Sequence, residues 1–203
     1  VLKETMSNQQ KRNRLLILAI FGMSIIPFLI AWVLKENPEL LEGRTSYGQL
    51  ITPVITTERS DFAGFDQFTA QNMDQLPGHW LIVNVIPHDD CNEVCRDAMY
   101  KTRQLQLMMS KDLIRTRRVA MVFKDVAPEA AAEWWKDETR LLRVKPNEAV
   151  IKKIAAVRQD GVPDGMLLLM DPLGNVMMQY EPGFDPYKVK NDLMHLLKIS
   201  QIG

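Results

Sequence analysis

Twenty consecutive residues without a charge, Leu15 to Leu34 (LLILAIFGMSIIPFLIAWVL), constrain this chain more than any other stretch. A bilayer core of about 30 Å needs roughly 20 helical residues, so the segment has the length of one membrane span. A soluble core helix would keep a polar face, and this run has none. Pro27 is tolerated in a membrane helix, and Trp32 stands near the far end, where an interfacial aromatic belongs. The run is longer than a signal-peptide apolar region, and no small-x-small cleavage site follows it. The sequence therefore predicts an anchor at residues 15–34, preceded by a short N-terminal segment, 1–14.

Charge gives the expected orientation. Lys3, Lys11, Arg12 and Arg14 precede the span against Glu4 alone, whereas Lys35 is followed by Glu36, Glu39 and Glu42. The positive-inside rule puts the N-terminus in the cytoplasm and the remainder outside it. Lys plus Arg and Asp plus Glu balance at 25 each, so the part after the anchor is mildly acidic. That excludes an electrostatic reason to bind nucleic acid.

Residues 35–77 contain Pro38, Gly43, Gly48 and Pro53 and read as a linker or lead-in. Regular patterns begin at residue 79. HWLIVNVI is a short apolar run rich in β-branched residues, bounded by Pro77-Gly78 and Pro87, and predicts a buried strand. Residues 91–110 place Val94, Ala98, Leu105 and Met109 at helical spacing. RRVAMVF (117–123) predicts a second strand. Pro128 opens a helix through AAAEWWKDE, and Asn147 caps another running to Arg158. MLLLMD, the turn Pro172-Leu173-Gly174-Asn175 and VMMQYE form a hairpin. A final helix begins near Asp185-Pro186 and buries Val189, Leu193, Leu196 and Leu197. The order β-α-β-α then β-β-α predicts an α/β, thioredoxin-like domain over residues 78–203, behind the single transmembrane helix.

The only two cysteines lie four residues apart in DDCNEVCRD, directly after the first strong strand. On a helix, positions i and i+4 share a face, with Cα atoms about 6 Å apart, inside the window for a disulfide. Two thiolates so placed equally suit one soft ion such as Cu(I). A helix N-terminus favours a thiolate at Cys91, and Asp89, Asp90 and Glu93 oppose that. Outside the cytoplasm the pair is a disulfide unless something reduces it or a metal protects it. A purely structural bridge is the plainer alternative, although so short a loop constrains little of the unfolded chain. His88, three residues before Cys91, is a candidate third ligand. His79 and His195 read as structural or exposed. The 12 methionines read mainly as core filling, and of Trp134-Trp135 one reads as core and the other as a contact surface.

The strand, the CNEVC motif and LLLMDPLGNVMMQYEPG resemble the Sco/SenC family of membrane-anchored, thioredoxin-fold proteins. Cys91, Val94, Cys95, Asp171, Pro172 and Gly174 carry the likeness, over about residues 78–198. The resemblance implies a role in cytochrome c oxidase biogenesis, with oxidase subunits or assembly factors as partners. It implies Cu(I) or thiol-disulfide chemistry at Cys91 and Cys95, and a place on the inner (cytoplasmic) membrane with the soluble domain periplasmic. The family's copper site adds a histidine shortly before the Asp-Pro turn. Here that stretch runs through Pro163, and no histidine lies between His88 and His195. Pro163 resembles instead the cis-proline that faces the cysteine pair in thioredoxin-like oxidoreductases. Two functions follow from the sequence: a thiol-disulfide or copper-handling assembly factor, or a non-catalytic thioredoxin-like scaffold in a membrane respiratory complex.

Overall fold

A computed structural model describes residues 2–36, 46–136, 138–200 and 202. The chain divides into two compact units, Val1–Thr45 and Ser46–Gly203.

The first unit holds one helix, α1 (Leu2–Glu36), which contains Pro27. Its stretch Gln10–Glu36 is long and apolar enough to cross a membrane. The Ser24 hydroxyl donates to the Ile20 carbonyl at 3.0 Å, so even the polar side chain in the apolar run is satisfied within the helix.

The second unit is a seven-stranded sheet. Its strands are β1 (Gln49–Thr56), β2 (Phe62–Gly64), β3 (Trp80–Ile86), β4 (Thr116–Val122), β5 (Leu142–Pro146), β6 (Leu167–Met170) and β7 (Asn175–Tyr180), in the spatial order β1-β7-β6-β3-β4-β5-β2. β3 is central, parallel to β4 and antiparallel to β6. All seven of its residues are buried, which is why it reads as a continuous apolar run. Leu81, Val83 and Val85 face one side, packed with Val150 and Ile154 of α5 (Glu148–Ala155). Trp80 and Ile82 face the other, with Ala98 and Leu105 of α3 (Glu93–Leu107) and Val189, Leu193 and Leu197 of α6 (Pro186–Ile199). Helices on both faces of a mixed sheet are the arrangement predicted. Two further short helices, α2 (Gln67–Gln71) and α4 (Pro128–Ala131), complete the fold.

Three elements depart from the sequence reading. Residues 35–77 are not simply a linker. Residues 37–45 lie outside the described residues, but β1 pairs antiparallel with β7 and β2 with β5, closing the two edges of the sheet. Only Ile51 and Ile55 of β1 turn inward, four residues apart around a register shift, so the period of two is broken. β5 has no counterpart in the sequence pattern. Its Arg143 is buried and paired with Asp66 at 2.7 Å, a tertiary solution that disguises a strand as a polar segment. Last, the helix expected from Pro128 is only α4 followed by a 3-10 turn, Ala132–Trp135, and Asp137 lies outside the described residues. Within that turn Trp135 is buried, with its ring edge-on to Phe65, while Trp134 is partly buried.

Asp192 ties the start of this unit to α6. Its buried carboxylate accepts the backbone N–H groups of Tyr47 (3.0 Å) and Gly48 (2.8 Å) and the Tyr180 hydroxyl (3.1 Å). Burial, reinforced by Asp192, pushes the Tyr180 phenol far above its usual range, so it stays a donor. Asp192→Ala strands these donors and is expected to cost about 2–3 kcal/mol, read as a lower urea midpoint at unchanged m-value.

Candidate functional site

After β3 the chain passes Pro87 and reaches Cys91, which lies two residues before the first residue of α3. Asn92 is the N-cap: its side-chain oxygen accepts the Cys95 N–H at 3.1 Å. This corrects the expectation of two thiols on consecutive turns of one helix. Cys91 stands outside the helix because Asn92 caps it, and Cys95 is the third helical residue. The two are nevertheless close. They form a disulfide with Cα atoms 5.2 Å apart, well inside the accepted window.

Both cysteines are buried, Cys91 at 3% and Cys95 at 2% relative exposure. They share an apolar cluster with Ile86, Met99, Val122 and Trp135, onto which Phe65 and Trp134 also pack. A disulfide has no charge to solvate, so this environment suits the oxidised pair and raises the cost of a thiolate.

On the polar side lies the segment that connects α5 to β6. Asp164 receives a hydrogen bond from the Asn92 side-chain amide at 2.7 Å through one oxygen and contacts His88 Nδ1 at 3.0 Å through the other. Gly165, at φ +77°, lies so close to the motif that a Cβ there would stand 2.9 Å from Val94 Cγ1 and 3.0 Å from the Val94 carbonyl. Only glycine meets both the backbone angle and the space. Pro163 belongs to this segment, but among the described residues only Thr52-Pro53 is cis, so the Val162-Pro163 bond is trans and the cis-proline likeness does not hold.

His88 is 56% exposed and engaged by Asp164. Among the described residues, with Cys91 and Cys95 joined as a disulfide, no three His, Cys, Asp or Glu side chains gather where they could hold one metal ion. His79 is half-buried, with Nδ1 3.1 Å from the Pro77 carbonyl. Sequence reasoning singled out neither Asn92 nor Asp164. Asn92 was legible as an N-cap ahead of Glu93; Asp164, 72 residues away, carried no local signal.

A disulfide at the start of the helix that follows a central strand, on a mixed sheet covered on both faces, defines a thioredoxin-like domain, here in a chain with an N-terminal helix long and apolar enough to span a membrane. The chain belongs to the family described as transmembrane-like, thioredoxin-like, C-terminal domain, whose model matches residues 80–200. Among solved structures, apo Sco1 from Thermus thermophilus is similar at 14% identity and TM-score 0.53, covering 76% of this chain and 99% of that one. Copper-bound yeast Sco1 is similar at 16% identity and TM-score 0.51, covering 78% and 96%. Both likenesses are likenesses of fold. None of the curated proteins matches the chain.

Proposed function

We propose that this chain is a membrane-anchored thiol-disulfide factor that assists cytochrome c oxidase assembly from the periplasmic face of the inner membrane. The observation that carries the reading is the Cys91–Cys95 disulfide at the junction of β3 and α3. In the exchange, a client thiolate attacks one sulfur, a mixed disulfide forms and the other cysteine leaves as a thiolate. A second client thiolate then displaces the first cysteine. The client is left oxidised and the Cys91–Cys95 pair reduced; the reverse sequence reduces a client disulfide. The oxidase and the class of client come from the Sco/SenC resemblance, and the membrane face from the basic residues that precede the span.

Copper enters as cargo rather than as a resident cofactor. The donor set fits it in one form only. Once reduced, two thiolates suit a two-coordinate Cu(I), but no histidine, aspartate or glutamate joins them among the described residues. A three-ligand site is not supported, so dithiol exchange ranks above copper delivery. The burial of both cysteines favours a second reading, a scaffold whose disulfide is only structural.

The test is a redox and metal titration of the full chain in detergent. An exchanging pair is expected to equilibrate with thiol buffers at about −120 to −270 mV, whereas a structural bridge lies below about −300 mV. Reduced protein that takes up Cu(I), and loses it in Cys91→Ser or Cys95→Ser, would establish the cargo role.

A further inference from the structure

We infer that Asp164 is a positioning residue for the cysteine pair, acting through Asn92. The inference rests on the dithiol reading of the site. One carboxylate holds two points of the cysteine loop: His88, three residues before Cys91, at 3.0 Å, and the Asn92 amide, directly after Cys91, at 2.7 Å. The other end of the Asn92 side chain fixes the Cys95 backbone N–H at 3.1 Å. Asp164 thus joins both flanks of Cys91 to the helical turn that carries Cys95. Its side chain is only 19% exposed, and its own segment is seated against Val94 by the close approach at Gly165. The contact is therefore between two packed segments, not between a side chain and a free loop.

The consequence is an effect on the closed state of the pair. A reduced pair recloses readily only while Cys91 and Cys95 keep the separation seen here, with Cα atoms 5.2 Å apart. Asn92 anchored at both ends holds that separation. Without Asp164 the Asn92 amide loses its fixed acceptor, the Cys91 flank is freed from His88, and each thiol spends less time within reach of the other. The effective concentration that favours closure falls, so the disulfide becomes easier to reduce.

The experiment measures the equilibrium constant for reduction of the full chain in detergent micelles, in glutathione or dithiothreitol buffers at one fixed pH. Asp164→Ala is expected to be reduced about tenfold more easily, a potential about 30 mV less negative. Asp164→Asn keeps an oxygen for the Asn92 amide and is expected to stay within about threefold of wild type. A residue that only fills the loop would leave the potential unmoved in both. His88→Ala, at an exposed position, reads the other arm should Asp164→Ala fail to fold, and is expected to shift the constant the same way by about threefold. An Asp164→Ala protein within about twofold of an exchanging wild type overturns the inference, as does an unmoved His88→Ala where Asp164→Ala does not fold. A wild-type disulfide that neither buffer reduces overturns the dithiol reading itself, and this inference with it.

Discussion

Replacing Glu138 by alanine is expected to destabilise the domain by about 3–5 kcal/mol, the cost of leaving a buried charge without its partner. Arg118, on β4, is 2% exposed at its side chain and points beneath α3. Its guanidinium donates to both Glu138 oxygens, at 2.6 and 3.1 Å, to the Met99 carbonyl at 2.9 Å and to Thr102 Oγ1 at 3.3 Å. Thr102 Oγ1 also receives the Asn84 side-chain amide at 3.0 Å, so the chain of bonds runs from β3 through α3 to the segment after α4. Burial pushes the Arg118 pKa down and Glu138 opposes it, by hydrogen bonding and by charge. With Glu138 gone, the burial penalty and the repulsion from Arg103 are no longer opposed by a negative charge. Urea unfolding of Glu138→Ala checks this, and the paired replacement Arg118→Met with Glu138→Leu should recover most of the loss, because it removes the charge as well as its partner. A single variant as stable as wild type would show that the pair contributes nothing. Met99 also packs in the apolar cluster around the disulfide, so this network supports the site from behind.

The second large effect is functional. Cys91→Ser with Cys95→Ser is expected to reduce cytochrome c oxidase assembly to the level of a strain lacking the gene, with normal amounts of the protein in the membrane. The four-residue separation makes the bridge a weak structural device: the chain-entropy model gives about 2 kcal/mol for so short a loop. Loss of folding is therefore not the expected cause of a null phenotype. Oxidase activity in membranes, beside an immunoblot for the chain, separates the readings. Normal assembly in the double variant would rule out exchange and leave the scaffold. A deficit corrected by added copper would move the function from dithiol exchange to metal delivery.

What the sequence revealed follows from where side chains are buried. β3 is buried at every position, so its apolar run was unmistakable, and the hairpin of β6 and β7 was marked by its Asp-Pro turn. α6 was legible from Val189, Leu193 and Leu197 on one face and from Asp185 as its cap. β1 and β2 were not, because an edge strand needs few inward residues and β1 has two. β5 was hidden by Arg143, whose charge is answered by Asp66 from a distant segment. The same limit applies at the site. Cys91 and Cys95 are neighbours in sequence and were found, while Asp164 reaches Asn92 only through the folded topology.

The edge pairing of β1 has a consequence for the order in which this domain can be finished. Gln49 pairs with Gln179, near the end of the chain, whereas Cys91 and Cys95 are four residues apart. Contacts so different in sequence separation close at different speeds, since the distant one must first gather the chain between them. The sulfur chemistry can therefore be complete on a nascent domain whose first strand is still waiting for its partner. A chain in that condition exposes an unpaired strand, which makes this late step of folding the one most open to capture by a neighbouring strand.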